Sequence, residues 1–284
     1  MRLARSGPPG GEIPVVADPD GRWHDLRPVT ADIDPRFLAG NGLSWARGAL
    51  DEGELTPLAE TPARFGPPLA PTGKIVCVGL NYSDHAAETG TEPPAEPILF
   101  MKAPDTVVGP ADDVLIPRGS VKTDYEVELA VVIGRQAAYL DGPEQAAHVI
   151  AGYAISNDVS ERTFQIERGG QWDKGKNCAT FNPLGPWLVT ADEVADPQSL
   201  GLRLSVNGEL RQDSSTGKMI FDVRYLVWYI SQFMTLYPGD VINTGTPAGV
   251  ALGDPEHRPY LRGGDVVELE IDGLGQQRQT MRDA

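Results

Sequence analysis

The chain has 284 residues, enough for one large domain or a large and a small one, and its 40% hydrophobic and 23% charged content is that of a globular protein. A formal charge of −16 repels phosphate backbones and anionic lipids, which argues against nucleic-acid and membrane-surface roles. No apolar run approaches the roughly 20 residues of a membrane span, and Pro8, Pro9 and Pro14 stand where a signal peptide needs an apolar core, so a cytoplasmic protein is expected.

In chain order, "IPVVADPDGRWHDL" predicts two short strands around a turn at Asp18–Gly21, and residues 30–58 have room for one or two short helices. Pro62, Pro67, Pro68 and Pro71 give the next stretch the composition of a stiff linker, so a boundary is set near residue 70. Residues 1–70 are then a small N-terminal domain and residues 71–284 a larger one. "KIVCVGLNY" and "PILFMKAP" read as buried strands, with Cys77 a buried thiol that suits a reducing compartment. Further strands are predicted in "YEVELAVVIG", "AGYAISNDV", "GPWLVTADEV", "LRLSVNGEL", "GDVINTGTP" and "GDVVELEIDGLG", with short helices near 82–89, 144–150, 159–168 and 222–235. Asn207-Gly208 is the pair of a tight hairpin. Many closely spaced strands with few helices imply a rolled or barrel-like β architecture.

Within "TDYEVELAVVIG", Glu126 and Glu128 lie two residues apart, so on a strand both carboxylates project from one face, and Asp124 shares their parity. Like charges on a partly buried surface repel and resist desolvation. Either the strand starts on a solvated acidic face, or a divalent cation lies between the carboxylates; hard oxygen ligands suit Mg2+, Mn2+ or Ca2+. Asp158, where an apolar strand gives way to a predicted helix, is a candidate third ligand and equally a candidate N-cap. In "GLNYSDHAAETG", Asn81 can cap a short helix that Gly90 ends, and His85 and Glu88, at i and i+3, share its face. A carboxylate there raises the basicity of the histidine and fixes its tautomer, as a general base requires, although a surface pair of no consequence has the same spacing.

"GGQWDKGK" nearly matches a phosphate-binding Walker loop, but Asn177 replaces the hydroxyl residue that would hold magnesium, and Trp172 and Asp173 suit such a loop poorly. Lys176 reads either as a cation beside the acidic cluster or as a solvated loop lysine. Thr244, Gly245 and Thr246 end an apolar strand, and small residues there allow a ligand close to the backbone, or simply form a turn.

Taken together, "GLNYSDHAAE", "ILFMKAP", "DYEVELAVVIG", "NDVSER", "QWDKGK", "LGPWLVT", "VNGELRQ" and "PGDVINTGTPAGV" occur in an order that resembles the fumarylacetoacetate hydrolase family, over about residues 72–275, and most of all its bacterial acylpyruvate and 2,4-dioxo acid branch. The resemblance implies an α+β, mainly β fold, a mixed β-roll, working as a homodimer with Mg2+ or Mn2+. It implies Glu126, Glu128 and Asp158 as metal ligands, His85 and Glu88 as a base pair carried on a lid, and Lys176 beside the metal. Arg162, Gln165, Thr244 and Gly245 would hold the substrate, a small 2-oxo or dioxo acid. Where some members have cysteine before proline, Asn182 stands here. The activity implied is hydrolysis of a C–C bond in a β-dicarbonyl 2-oxo acid, with decarboxylation, tautomerisation or isomerisation through the same enolate as the alternative.

Overall fold

Alternation along the strand Val127–Ile133 decides which layers the fold needs, because all seven of its residues are buried. Val127, Leu129, Val131 and Ile133 belong to one apolar core, and Ala130 and Val132 to another, so both faces of the sheet must be covered. A computed structural model, describing residues 1–254 and 256–284, supplies both covers.

The main sheet has ten strands. Nine follow the order Trp23–Asp25, Ile13–Ala17, Arg2–Ser6, Asn182–Thr190, Ile150–Asn157, Val127–Ile133, Val241–Asn243, Ile75–Gly79 and Ile98–Lys102. The tenth, Val107–Val108, pairs parallel with Asn182–Thr190. A second sheet of five strands runs Glu209–Ser215, Gly201–Val206, Val266–Ile271, Gly275–Asp283 and Val114–Ile116. Its Leu202, Leu204, Val267 and Leu269, with Leu226, Val227 and Ile230 of the helix Val223–Ser231, fill the core on one face of the main sheet. The other face carries Leu3, Val16, Leu26, Ile33 and Phe37 from the first seventy residues. The chain is therefore α+β and mainly β, with both sheets mixed, as expected.

Strands on either side of the proline-rich stretch share one sheet, since Arg2 and Leu3 pair with Val189 and Leu188. The Asn207-Gly208 turn has φ of 53° and 80°, the left-handed pair that a two-residue hairpin of this twist requires. Two short helices, Pro35–Ala39 and Gly42–Asp51, fall in the predicted window. The segment expected to be helical over 159–168 is instead a two-residue strand, Ser160–Glu161, followed by a helical turn, Thr163–Glu167. Ser160 and Glu161 pair with Asp124 and Thr123, and that ladder outcompetes the local helical pattern. Among the described residues no helix is long and apolar enough to cross a membrane.

The neighbouring strand Ile150–Asn157 sits so close to Asn182–Thr190 that a β-carbon added at Gly152 would lie 2.1 Å from the Val189 carbonyl oxygen and 2.9 Å from Thr190 Cα. Both obstacles are backbone, so neither can swing aside. Gly152→Ala is expected to destabilise the protein by about 1–3 kcal/mol, read as a lower midpoint in thermal or urea unfolding.

Candidate metal-dependent active site

The site begins with strand register. Ser156 pairs with Glu128 and Asn157 with Val127, and one step further Asp158 comes opposite Glu126, whose carbonyl accepts from the Asp158 N–H at 3.0 Å. Directly opposed residues share a face, so Asp158 joins the two glutamates. Glu126, Glu128 and Asp158 each offer an oxygen within 4.8 Å of the others, at 5%, 2% and 0% exposure.

Three buried cations surround them. Lys176 Nζ donates to Glu126 Oε2 at 2.7 Å and Asp158 Oδ2 at 2.8 Å. Arg162 lies 2.7 Å from Glu126 Oε1 and 2.8 Å from Asp124 Oδ2. Lys102 Nζ contacts Asp158 Oδ1 and donates to the Val159 carbonyl at 3.0 Å. Glu128 forms no ion pair among the described residues; its Oε2 accepts only from the Gly245 N–H, at 2.8 Å. Burial, then the charges of Asp158 and Glu126, push its carboxyl well above the ordinary glutamate range. For Glu126, burial works in the same direction, but Lys176 and Arg162 outweigh it and hold the carboxyl below that range. Burial opposes the charge of Lys176, and Asp158 and Glu126 more than offset it, keeping the ammonium protonated.

Four carboxylates, Asp124, Glu126, Glu128 and Asp158, thus meet three cations, and the uncompensated charge falls on Glu128. Three converging carboxylates of which one lacks a counter-charge fit a hard divalent cation by number, charge and donor type.

Over this cluster lies the helix Ser83–Thr89, ended by Gly90 in the left-handed region at φ 64°. His85 Nδ1 is 3.2 Å from Glu88 Oε2, and Glu88 Oε1 accepts from the Gly249 N–H at 2.9 Å. Asp84 ties the helix down, accepting from Ser214 Oγ at 2.6 Å and Lys218 Nζ at 3.1 Å. Asn81 does not cap it. The first residue outside the helix is Tyr82, and the buried Asn81 amide instead donates to the Thr244 carbonyl at 2.8 Å and accepts from the Phe221 N–H at 2.8 Å. That bridge lies 163 and 140 residues away in sequence, beyond what capping patterns read.

A cavity of about 200 Å3 separates this helix from the cluster. His85, Glu126, Glu128, Gln165, Lys176 and Thr246 give it polar groups, and Phe100, Trp172, Ile166 and Leu252 give it apolar ones. A larger, shallower groove of about 1030 Å3 runs past Trp187, Arg203 and Glu270. There Arg203 pairs with Glu270 and Asp272 at the surface, whereas the buried Glu126, Glu128 and Lys176 make the smaller cavity the candidate site.

Of the residues singled out in the sequence, His85, Glu126, Glu128, Gln165 and Lys176 line the cavity, and Asp158 touches it through Lys176. Arg162 lies behind the wall, donating to Asp124 at 2.8 Å and to Gln165 Oε1 at 3.0 Å. Thr244 is turned away, its hydroxyl donating to the Leu129 carbonyl at 2.9 Å; past the strand end Gly245 takes φ 99°, which breaks the alternation and lets Thr246 line the cavity instead. Gly245 contributes its N–H to Glu128, and a β-carbon there would stand 2.9 Å from Asn81 Cβ. Lys102 was missed. A lysine closing the apolar run "ILFM" was the available signal, because a charge at the end of a buried strand needs a partner.

Glu128→Gln removes the uncompensated charge without changing shape. In chelator the variant is expected to melt at or above the wild-type temperature, whereas the upward shift on adding excess Mn2+ or Mg2+ should shrink or vanish. Differential scanning fluorimetry with and without the ion reads both.

Comparison with known proteins bears on this geometry. The family model described as "Fumarylacetoacetate (FAA) hydrolase C-terminal" matches residues 74–282. A Burkholderia multivorans protein carrying only a provisional hydrolase name is 51% identical over the full length of both chains. The solved 5-carboxymethyl-2-hydroxymuconate delta-isomerase of Mycobacterium smegmatis is similar with a TM-score of 0.77 and 33% identity, covering 100% of this chain and 99% of that one. The maleylpyruvate hydrolase of Sphingobium sp. SYK-6, solved with manganese(II) and pyruvate, is similar with a TM-score of 0.80 and 30% identity over all of both chains. A divalent-metal cofactor is thus supported by the acidic cluster and by a relative that holds one. With the family model spanning most of its length and the buried Glu126, Glu128 and Asp158 at its centre, this chain belongs to the fumarylacetoacetate hydrolase family.

Proposed function

We propose that the chain is a divalent-cation-dependent hydrolase that cleaves a C–C bond in a β-dicarbonyl 2-oxo acid of the acylpyruvate or 2,4-diketo-3-deoxy acid type, releasing pyruvate or a related 2-oxo acid. The observation that carries this reading is His85, which lines the same cavity as Glu126, Glu128 and Lys176 and whose Nδ1 lies 3.2 Å from Glu88 Oε2 behind it. Proton shuffling within a substrate needs one acid–base group; activating water needs a base held in one tautomer, and Glu88 at Nδ1 leaves Nε2 free to accept.

Mg2+ or Mn2+ held by Glu126, Glu128 and Asp158 would supply a Lewis acid for the substrate's 1-carboxylate and 2-oxo oxygens. Gln165, whose Oε1 is occupied by Arg162, has its amide N–H groups available for that carboxylate. His85 Nε2 takes a proton from water, and the hydroxide formed attacks the carbonyl farther from the carboxylate. The bond between that carbonyl carbon and the methylene breaks, giving a carboxylic acid and the enolate of the 2-oxo acid, which takes up a proton. Lys176, with two of its three N–H groups on Glu126 and Asp158, has a third for the oxyanion, and such fixed donors favour the transition state over the ground state.

The second reading, an isomerase, tautomerase or decarboxylase of a 2-oxo acid, draws support from the Mycobacterium smegmatis isomerase. It would use His85 only to move a proton. A cytoplasmic homodimer goes with either reading. The stacked row Phe221, Tyr225 and Tyr229, continued by the exposed Phe233, supports a self-association surface, which light scattering would read.

With an acylpyruvate and Mn2+, loss of enol absorbance should match pyruvate formed. Absorbance loss without pyruvate favours tautomerisation, and carbon dioxide from oxaloacetate favours decarboxylation. His85→Ala should lower hydrolysis about 100- to 10,000-fold and leave cation binding near wild type. Gly253→Ala would set a β-carbon 2.3 Å from the Glu88 carboxylate, and is expected to lower kcat with little effect on unfolding, because only a side-chain end must move.

A further inference from the structure

Resting on the reading as a 2-oxo acid enzyme, we infer that the substrate's tail, the group beyond the attacked carbonyl, is short, uncharged and apolar, and that the chain rejects 2-oxo acids carrying a second, terminal carboxylate.

Contacts order the cavity from the acidic cluster outward. Lys176 Nζ lies 5.0 Å from the centre of the Phe100 ring, and Phe100 packs edge-on against Trp172 at 5.4 Å. Trp172 is seated tightly over Gly79, where a β-carbon would come within 2.5 Å of its ring. Ile166, 48% exposed, stands at the mouth, and Leu252 completes the apolar wall. The charged groups are thus gathered at the cluster end, and the rest of the wall includes Phe100, Trp172, Ile166 and Leu252 with the uncharged hydroxyls of Thr89 and Thr91.

A terminal carboxylate would need a cation there. Lys176 is committed to Glu126 and Asp158, and Arg162 to Asp124, Glu126 and Gln165. Two cations of the neighbouring loop are engaged elsewhere: Lys174 Nζ donates to the Arg168 carbonyl at 2.8 Å, and the Arg168 guanidinium covers the Phe164 ring at 4.6 Å. Among the described lining residues no other lysine or arginine occurs. The overall charge of −16 adds to the penalty for a dianion. A volume of about 200 Å3 limits the tail's length, leaving room for a small 2-oxo acid.

Two ligands isolate the tail: 2-oxohexanoate and 2-oxoadipate share the 2-oxo acid head and chain length and differ only in a terminal methyl or carboxylate. Neither is a β-dicarbonyl, so binding is read without cleavage. Isothermal titration of the Mn2+-loaded protein should show 2-oxohexanoate binding at least about 100-fold more tightly, and Ile166→Arg should narrow or reverse that ratio. Equal or tighter binding of 2-oxoadipate by the wild type overturns the inference even if acylpyruvates are hydrolysed. If neither ligand binds, the 2-oxo acid reading itself falls, and the inference with it.

Discussion

Three carboxylates converge on one buried point, and the rest of the molecule is arranged to make that tolerable. An isolated carboxylate in a low-dielectric interior is too costly to keep ionised, and removing one partner of a buried pair typically costs 3–5 kcal/mol. Here Lys176 bridges Glu126 and Asp158, Arg162 bridges Glu126 and Asp124, and Lys102 takes the other oxygen of Asp158. The compensation is incomplete, and it is incomplete at one named residue. Glu128 has a backbone N–H and two like charges for neighbours. A divalent cation would answer that deficit directly, which is what makes the cluster a candidate binding site.

The fold contributes rigidity. Val127–Ile133 is buried on both faces, and fully burying a Val, Leu or Ile side chain stabilises by roughly 1.5–3 kcal/mol, so the apolar run anchors the strand whose start bears the charges. Its neighbour Ile150–Asn157 is equally enclosed and carries Asp158 just past its end. Two of the three carboxylates are therefore held by one strand and the third by the next, with little freedom to separate. The first seventy residues complete the apolar packing beneath Ala130 and Val132, and so support the site from the sheet face on which the carboxylates lie.

The helix bearing His85 is held differently. The helix Ser83–Thr89 is short, and its attachments are polar: Asp84 to Ser214 and Lys218, Glu88 to Gly249. The apolar wall is built on the segments that also supply the cluster's cations, since Phe100 shares the strand Ile98–Lys102 with Lys102 and Trp172 immediately precedes the helix Asp173–Lys176 that ends in Lys176.

The sequence alone determined what is periodic and local. Strand parity put Glu126 and Glu128 on one face, helical spacing put His85 beside Glu88, and Asn207-Gly208 marked its hairpin, because each follows from the backbone repeat or φ preference of a few adjacent residues. Tertiary structure alone decided which strands lie side by side and in what register. Asp158 opposes Glu126, Lys102 reaches Asp158 from 56 residues away, and Asn81 bridges Phe221 and Thr244 instead of capping its helix. The backbone turn at Gly245 set Thr246 rather than Thr244 on the cavity, and the sheet register drew the first strands of the chain onto the edge of the main sheet. Those outcomes depend on burying two apolar faces at once across the whole sheet, a global packing condition that no window of neighbouring residues contains.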